Sequence, residues 1–309
     1  NLLRGRWFYA SPVMAWMGSH IKYHATFTAF VLMPIYALRQ RPETLIALQA
    51  VLCATAAVPL YLIARRRLQS AWAAVAVAAA YLLYAPQHGA IFFDYHFLTI
   101  APFFVLWTAW AYESGRKGWF IFFLALALLN REDVSIGLVG LFAYYALSGK
   151  RLRWAVTAAL VSAVYLVIVK FIVMPAHDQG TGDGQSFTYV YQELISKGEG
   201  GLGSALRTMV LNPLFLAKKV FTEPKLTYAA QLLVPVLLLP IRGGRTLLLL
   251  TAGILLTLFS TGYDPVIQVN FQYTAHWTPY VFLAVIFALQ DGAQRAGRER
   301  IGAGVVAVL

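Results

Sequence analysis

An ionisable turn between two apolar stretches is the feature of the sequence best suited to chemistry. Asn130-Arg131-Glu132-Asp133 separates the apolar runs at residues 119–129 and 134–147. Each run has about a dozen residues, and as a helix it rises only ~18 Å, well short of a hydrocarbon core of ~30 Å. The turn is therefore expected to lie recessed within the membrane. Three ionisable side chains at that depth are costly and indicate a polar cavity, a pathway or a ligand site.

The same turn also has a structural interpretation. Arg131 can form a buried, purely structural ion pair with Glu132 or Asp133, and Asp133 can instead cap the helix that follows it. The energetic cost of placing charges at this depth favours a functional role over both structural ones. The sequence leaves each of these interpretations open.

A carboxylate and an imidazole lie two positions apart in residues 88–96, which we predict to be a short outer loop between two crossings. An extended backbone would point the side chains of Asp94 and His96 the same way. Such a pair can bind a divalent metal ion or act as a base with its orienting partner. The Asp-x-His pattern is common, however, and a loop histidine is more often a solvated surface residue.

Residues 263–277 combine aromatic, amide and imidazole side chains in another outer loop. Aromatic residues form an anchoring belt at the membrane interface, and we predict that role for Trp277. Gln272, Tyr273 and His276 either belong to the same belt or line a polar site for a headgroup or a sugar. The two interpretations are equally compatible with the sequence.

Three lysines, Lys218, Lys219 and Lys225, lie in a predicted outer loop, against the usual distribution of positive charge. They either attract a lipid phosphate or pyrophosphate, or are ordinary loop charges. The sequence contains no Walker loop, dinucleotide fingerprint, HExxH metal helix or cysteine-rich zinc pattern.

The composition places all these residues in an integral membrane protein. Hydrophobic residues make up 60% of the 309 residues and charged residues only 12%. Because the apolar residues form long uninterrupted runs, a soluble domain could not bury them. The net charge of +12 is carried by short clusters between the runs, which indicates membrane topology rather than a nucleic-acid-binding face. The single cysteine, Cys53, excludes an intrachain disulfide.

We predict an all-α fold, a polytopic transmembrane helical bundle that crosses the bilayer about nine or ten times. The apolar runs predicted to be helices are residues 44–64, 71–86, 98–112, 119–129, 134–147, 154–174, 226–240, 246–259 and 279–289. Basic clusters follow every second crossing, and the positive-inside rule places them in the cytoplasm. The alternate loops, which hold most of the acidic residues, then face outward.

We expect one transmembrane domain over residues 1–309, incomplete at both ends. Residues 1–43 are predicted to be an outer juxtamembrane segment, because a crossing at residues 22–38 would reverse the sidedness of every later basic cluster. The long extracytoplasmic loop spans residues 175–225, with a surface helix at 202–216 and a segment at 190–195 that is either helix or strand. We find no internal repeat, which disfavours a transporter.

Four stretches together resemble an uncharacterised family of bacterial and archaeal polytopic membrane proteins, domain of unknown function 2079, which is distantly similar to the GT-C membrane glycosyltransferases. The stretches are Ser11-Pro12 through Arg65, Phe93-Asp94-Tyr95-His96 through Pro102, Leu129-Asn130-Arg131-Glu132-Asp133 through Tyr145, and Gln272-Tyr273-Thr274-Ala275-His276 through Pro279. The resemblance covers nearly the whole chain. It implies a GT-C-like bundle with outer juxtamembrane helices in a prokaryotic cytoplasmic membrane.

The resemblance also implies an activity, the transfer of a sugar from a polyprenyl-phosphate carrier on the extracytoplasmic face. The implied site comprises a divalent cation, Mg²⁺ or Mn²⁺, on Asp94, His96 and Asp133, and a substrate site formed by Arg131, Glu132, Tyr273 and His276. The relatives place their catalytic aspartate in the first outer loop, which is expected upstream of this chain because no acidic residue precedes Glu43. The alternative is a non-catalytic membrane subunit that binds lipid or partner proteins. Neither function involves nucleic acid.

Overall fold

A computed structural model describes residues 19–177, 188–196 and 200–295 of the chain. Within these ranges the regular secondary structure is helical, without β-strands, which confirms the predicted all-α fold. Long apolar sequences dictate this outcome, because a helix satisfies its own backbone hydrogen bonds where water is absent. The α-helices are α1 (Thr28–Leu38), α2 (Pro42–Thr55), α3 (Ala57–Leu68), α4 (Ala71–Leu82), α5 (Ala85–Phe93), α6 (Ala101–Ser114), α7 (Lys117–Asn130), α8 (Val134–Leu147), α9 (Leu152–Ile168), α10 (Met174–Ala176), α11 (Gly201–Leu211), α12 (Pro213–Val220), α13 (Glu223–Leu233), α14 (Thr251–Gly253) and α15 (Thr278–Arg295).

Three helical segments of the described chain are long and apolar enough to cross a membrane. They are Pro42–Leu68, which joins α2 to α3, Ala71–Phe93, which joins α4 to α5, and Leu152–Ala176, which joins α9 to α10. The last of these contains a π-helical turn at Val169–Val173. Other apolar helices, including α7 and α8, are shorter. Length and composition therefore support three crossings, and the larger predicted number stays a prediction.

Several basic clusters meet at one end of the bundle. At the end of α3, Arg67 pairs with Glu113 of α6 and donates to Gln290 of α15 at 3.1 Å. Nearby, the Tyr112 hydroxyl donates to the carbonyl of Lys150 between α8 and α9. These clusters lie close together, as expected if basic clusters after every second crossing share one side of the membrane. The sidedness itself stays a prediction.

Helix α8 lies at the centre of the bundle because two of its glycines allow neighbours to approach its backbone. A Cβ atom at Gly137 would lie 2.1 Å from the Tyr280 hydroxyl of α15. At Gly140 it would lie 2.3 Å from the carbonyl oxygen of Leu248, which belongs to the 3-10 helix Gly244–Leu250. The second contact is with backbone, which cannot rotate away.

Replacing Gly140 with Ala is therefore expected to lower the free energy of unfolding by roughly 1–3 kcal/mol, the usual cost of overpacking. Denaturant unfolding in detergent micelles measures the change. The matched control is Gly118→Ala in α7, where the added methyl group meets nothing within 4 Å. Equal stability of the two variants would contradict close packing at α8.

The structure corrects two loop predictions and decides between helix and strand at a third segment, residues 190–195. Residues 88–93 belong to α5 rather than to a loop, because the helix continues through Gly89 and ends only where Asp94 adopts an extended backbone conformation. Residues 190–195 lie in or next to a 3-10 helix, Tyr189–Leu194. The predicted surface helix at 202–216 consists of two helices. Helix α11 ends at Leu211 and α12 begins at Pro213, because a proline disfavours the helical conformation of the residue before it. Residues 1–18, 178–187, 197–199 and 296–309, which include parts of both predicted outer segments, lie outside the described residues.

Candidate functional site

The ionisable turn connects α7 to α8 and is completely enclosed. Helix α7 ends at Asn130 because Arg131 adopts an extended backbone conformation. The exposed fractions are 2% for Arg131, 0% for Glu132 and 1% for Asp133. Asp133 makes no capping hydrogen bond to α8, so the interpretation that it caps this helix is wrong. These charges must therefore be balanced by partners from elsewhere in the chain.

Arg131 and Asp133 form the first ion pair of this cluster. The Arg131 Nε atom donates to both Asp133 oxygens, at 2.8 and 2.9 Å, and Nη2 makes a further contact to Oδ2. His276 Nε2 lies 3.3 Å from the same Asp133 oxygen. On its other sides, Arg131 faces Gln272, with Nη1 3.4 Å from Oε1, and the Tyr273 ring, whose centroid lies 5.8 Å away. Protein groups therefore contact all three nitrogen atoms of the guanidinium group, with Asp133 as the strongest partner.

Glu132 has different partners, which lie in the segment before α1. Its Oε1 atom lies 2.9 Å from His24 Nδ1, and its Oε2 atom accepts the backbone N–H of Ala25 at 2.9 Å. The His24 side chain is 27% exposed, whereas Glu132 is enclosed. A histidine oriented by a buried carboxylate is an arrangement suited to proton transfer.

A third histidine lies beside this pair. The His20 and His24 ring centroids are 6.2 Å apart. Burial, followed by repulsion from His24, lowers the pKa of His20 to about 4. His20 is therefore neutral at physiological pH and adds no charge to the cluster.

The loop with the predicted Asp-x-His pair is held by Gln49, a fully buried residue of α2. Its amide nitrogen donates to the carbonyls of Ile91 and Asp94, at 3.1 and 2.9 Å, and its oxygen accepts the His96 N–H at 2.9 Å. The Asp94 side chain is exposed and accepts the N–H of Tyr95 at 2.7 Å. The His96 ring is partly buried, and its Nδ1 atom has no hydrogen-bond partner among the described residues.

The predicted metal site does not assemble in this arrangement. No group of three or more His, Cys, Asp or Glu side chains in the described ranges is placed to hold a metal ion. Asp133 is already engaged by Arg131 and His276, whereas Asp94 is exposed on its loop. The residues present therefore do not fit a Mg²⁺ or Mn²⁺ ion.

Trp277 does not serve as the predicted interfacial anchor. Its side chain is 1% exposed, and its indole N–H donates to the Thr257 hydroxyl at 3.1 Å. A Cβ atom at Gly253 would collide with its ring, 2.3 Å away. The aromatic ring fills the interior of the bundle, because this glycine leaves space for it. His276 and Tyr273, by contrast, do contribute to the ionic cluster.

A cavity of about 230 Å³ with an almost entirely apolar surface adjoins the cluster. Glu132, Asp133 and Lys170 are among its lining residues, and apolar side chains of α9, α11 and residues 255–256 form most of its wall. The cavity lies between two π-helical turns, Val169–Val173 and Ile254–Leu258. Such turns are rare and occur frequently at functional sites.

Several residues of this site were not predicted. His20, Gln49 and Lys170 belong to apolar or juxtamembrane segments that gave no chemical pattern on their own. His24, the direct partner of Glu132, lies in the segment that was predicted to be outer and juxtamembrane. The presence of a histidine in an otherwise apolar outer segment was the only sequence feature that could have indicated this residue as part of the site.

The whole chain, residues 1–309, matches the model of a family described as "Predicted membrane protein (DUF2079)". No curated protein and no solved structure matches the chain. The similarity to GT-C enzymes therefore stays a prediction.

Proposed function

The chain belongs to the DUF2079 family of predicted membrane proteins, and from this premise we propose that it is a GT-C-like glycosyltransferase relative that uses a polyprenyl-phosphate sugar carrier. The carrier would bind in the cavity beside α9 and α11, on the extracytoplasmic side of a prokaryotic cytoplasmic membrane. The apolar wall of this cavity, with Lys170 as the cationic residue among those that line it, is the observation that carries the proposal. An isoprenoid chain needs apolar walls, and its phosphate needs a cation at one end.

The charges suggest how such a carrier would be held. Lys170 lines the cavity, so its ammonium group is the candidate partner for the carrier phosphate. Arg131 is less suited to the phosphate-binding role predicted from the sequence, because its donors already bind Asp133. Arg131 and His276 instead position the Asp133 carboxylate next to the cavity, and the Tyr273 ring lies against the Arg131 guanidinium group.

The transfer step would use the His24–Glu132 pair as its base. The bond between the sugar C1 atom and the carrier phosphate oxygen breaks, and the acceptor hydroxyl oxygen forms the new bond to C1. The acceptor proton moves to the His24 imidazole, which the Glu132 carboxylate orients and stabilises once it is charged. The leaving group is the polyprenyl phosphate. This role replaces the upstream aspartate that the resemblance implied.

A second candidate function is supported by the completeness of the Arg131–Asp133–His276 contacts. A buried ion pair whose hydrogen bonds are satisfied by protein can be purely structural. In that case the protein is a non-catalytic membrane subunit that binds lipid in the same cavity or docks on partner proteins. The first candidate and the lipid-binding form of the second both predict lipid in this cavity, and only the first predicts sugar transfer.

Filling the cavity with a larger side chain tests the shared premise. Leu206 of α11 lines the cavity but is 59% exposed, so Leu206→Trp can enter the cavity without overpacking the core. We expect its affinity for a short-chain prenyl phosphate to fall about tenfold, equivalent to ~1.4 kcal/mol. Native mass spectrometry of the full-length protein in detergent measures the affinity.

The matched control is Leu211→Trp, on the same helix but outside the cavity lining and 70% exposed. It is expected to bind prenyl phosphate as the wild type does. If Leu206→Trp and Leu211→Trp bind equally, the carrier does not occupy this cavity and the proposal fails.

A further inference from the structure

A second cavity, of about 440 Å³, shares no lining residue with the first. It lies where the end of α12 and the start of α13 face residues 260–268. Its lining is rich in polar side chains, including Lys219, Lys225, Glu193, Thr222, Thr261 and Gln268. This lining suits a hydrophilic ligand rather than a hydrocarbon chain.

Lys225 is the buried cation of this second cavity, with 7% of its surface exposed. Its ammonium group donates to two backbone carbonyls, those of Lys219 at 2.8 Å and Ser260 at 2.5 Å. Carbonyl oxygens orient an ammonium group without neutralising it, and a third N–H donor remains. Burial lowers the pKa of Lys225 to about 8, so the group is still mainly charged at pH 7.

The acidic residues around the cavity make no direct ion pair with this ammonium group, although the charge of Glu193 partly offsets the effect of burial on its pKa. Glu193 pairs with Lys219, with 2.6 Å between Oε2 and Nζ. Asp264 also lines the cavity, but it is exposed to solvent. Among the described residues, no carboxylate lies within ion-pair distance of Lys225. A buried ammonium group with no carboxylate in contact favours an anionic ligand that can make that contact.

We propose that the Lys225 cavity binds a phosphate-bearing hydrophilic group, with Lys225 contacting the phosphate and the hydroxyl and amide side chains contacting the remainder. The phosphate could belong to a soluble compound or to a lipid headgroup, since both present the same oxygens. The site is independent of the prenyl-chain cavity, so its test does not depend on the proposed sugar transfer.

Calorimetry with inorganic pyrophosphate at pH 7, on the full-length protein in phosphatidylcholine nanodiscs, tests the proposal. Saturable binding is expected, weakened about tenfold or more in Lys225→Gln through loss of a charge-assisted hydrogen bond. Lys218→Gln is the matched control, because Lys218 is exposed and lies outside the cavity lining. Its affinity for pyrophosphate is expected to equal that of the wild type.

A second variant covers the case in which Lys225→Gln fails to fold. Gln268 is an exposed residue of the lining, so Gln268→Glu adds a repelling charge without disturbing the core. Its control is Gln69→Glu, the same substitution at an exposed position that is distant in the sequence from Gln268. Weaker binding in Gln268→Glu alone supports the site. Absence of saturable binding by the wild type, or unchanged affinity in both cavity variants, overturns it.

Nanodiscs that contain phosphatidic acid distinguish the two sources of phosphate. If the anionic lipid competes with pyrophosphate, the site takes a lipid headgroup, and if it does not, the site takes a soluble phosphate compound. Leu206→Trp is expected to leave pyrophosphate binding unchanged. A failure of the prenyl-phosphate proposal is therefore separable from a failure of this one.

Discussion

Replacing Arg131 with Met is expected to lower the free energy of unfolding by about 3–5 kcal/mol, the typical cost of removing one member of a buried ion pair. The substitution leaves the Asp133 carboxylate enclosed, with His276 at 3.3 Å as its remaining polar side-chain partner. A histidine compensates this charge only when it is protonated. Denaturant unfolding of the full-length protein in detergent micelles measures the loss.

Two further variants make this result specific. Arg66→Met is the matched control, because Arg66 is exposed, and it is expected to change stability by no more than ~0.5 kcal/mol. The double variant Arg131→Met with Asp133→Leu removes both charges and is expected to recover most of the lost stability. If Arg131→Met is as stable as Arg66→Met, the guanidinium group is not needed to balance Asp133.

Replacing Glu132 with Gln is expected to reduce sugar transfer from a polyprenyl-phosphate donor by about 10²–10⁴-fold, the usual contribution of a general base. An amide side chain keeps the shape of Glu132 but cannot stabilise the charged imidazole of His24, 2.9 Å away. Donor binding should change little, because the apolar walls of the cavity are untouched. Single-turnover transfer and donor affinity are measured on the same preparation.

The control for this experiment is Glu43→Gln, which makes the same change at an exposed carboxylate. It is expected to transfer sugar at the wild-type rate. If Glu132→Gln also does, the His24–Glu132 pair is not the base. A wild-type protein that binds the donor tightly but transfers nothing would support the non-catalytic subunit instead.

The local features of this protein could be read from the sequence. Uninterrupted apolar runs predicted helices, because backbone groups in hydrocarbon can be satisfied only within a helix or a closed barrel. The two short arms around residues 130–133 predicted a turn recessed within the membrane, since neither arm is long enough to reach both surfaces. Both predictions depend on residues that are close together in the chain. The structure confirms the helices and buries Arg131, Glu132 and Asp133 within the protein, whereas the depth of the turn in the membrane stays a prediction.

The partners of the charges were decided by the tertiary structure. Glu132 meets His24 from 108 residues away, and Arg131 meets Gln272 from 141 residues away. The cost of burying a charge implies that each of these side chains has a partner. The hydropathy of the sequence does not show which distant side chain packs against it. The same reason explains why the metal set on Asp94, His96 and Asp133 does not assemble. The sequence was sufficient to predict that these charges are withdrawn from the surface, whereas the packing of the helices determined which partners they have.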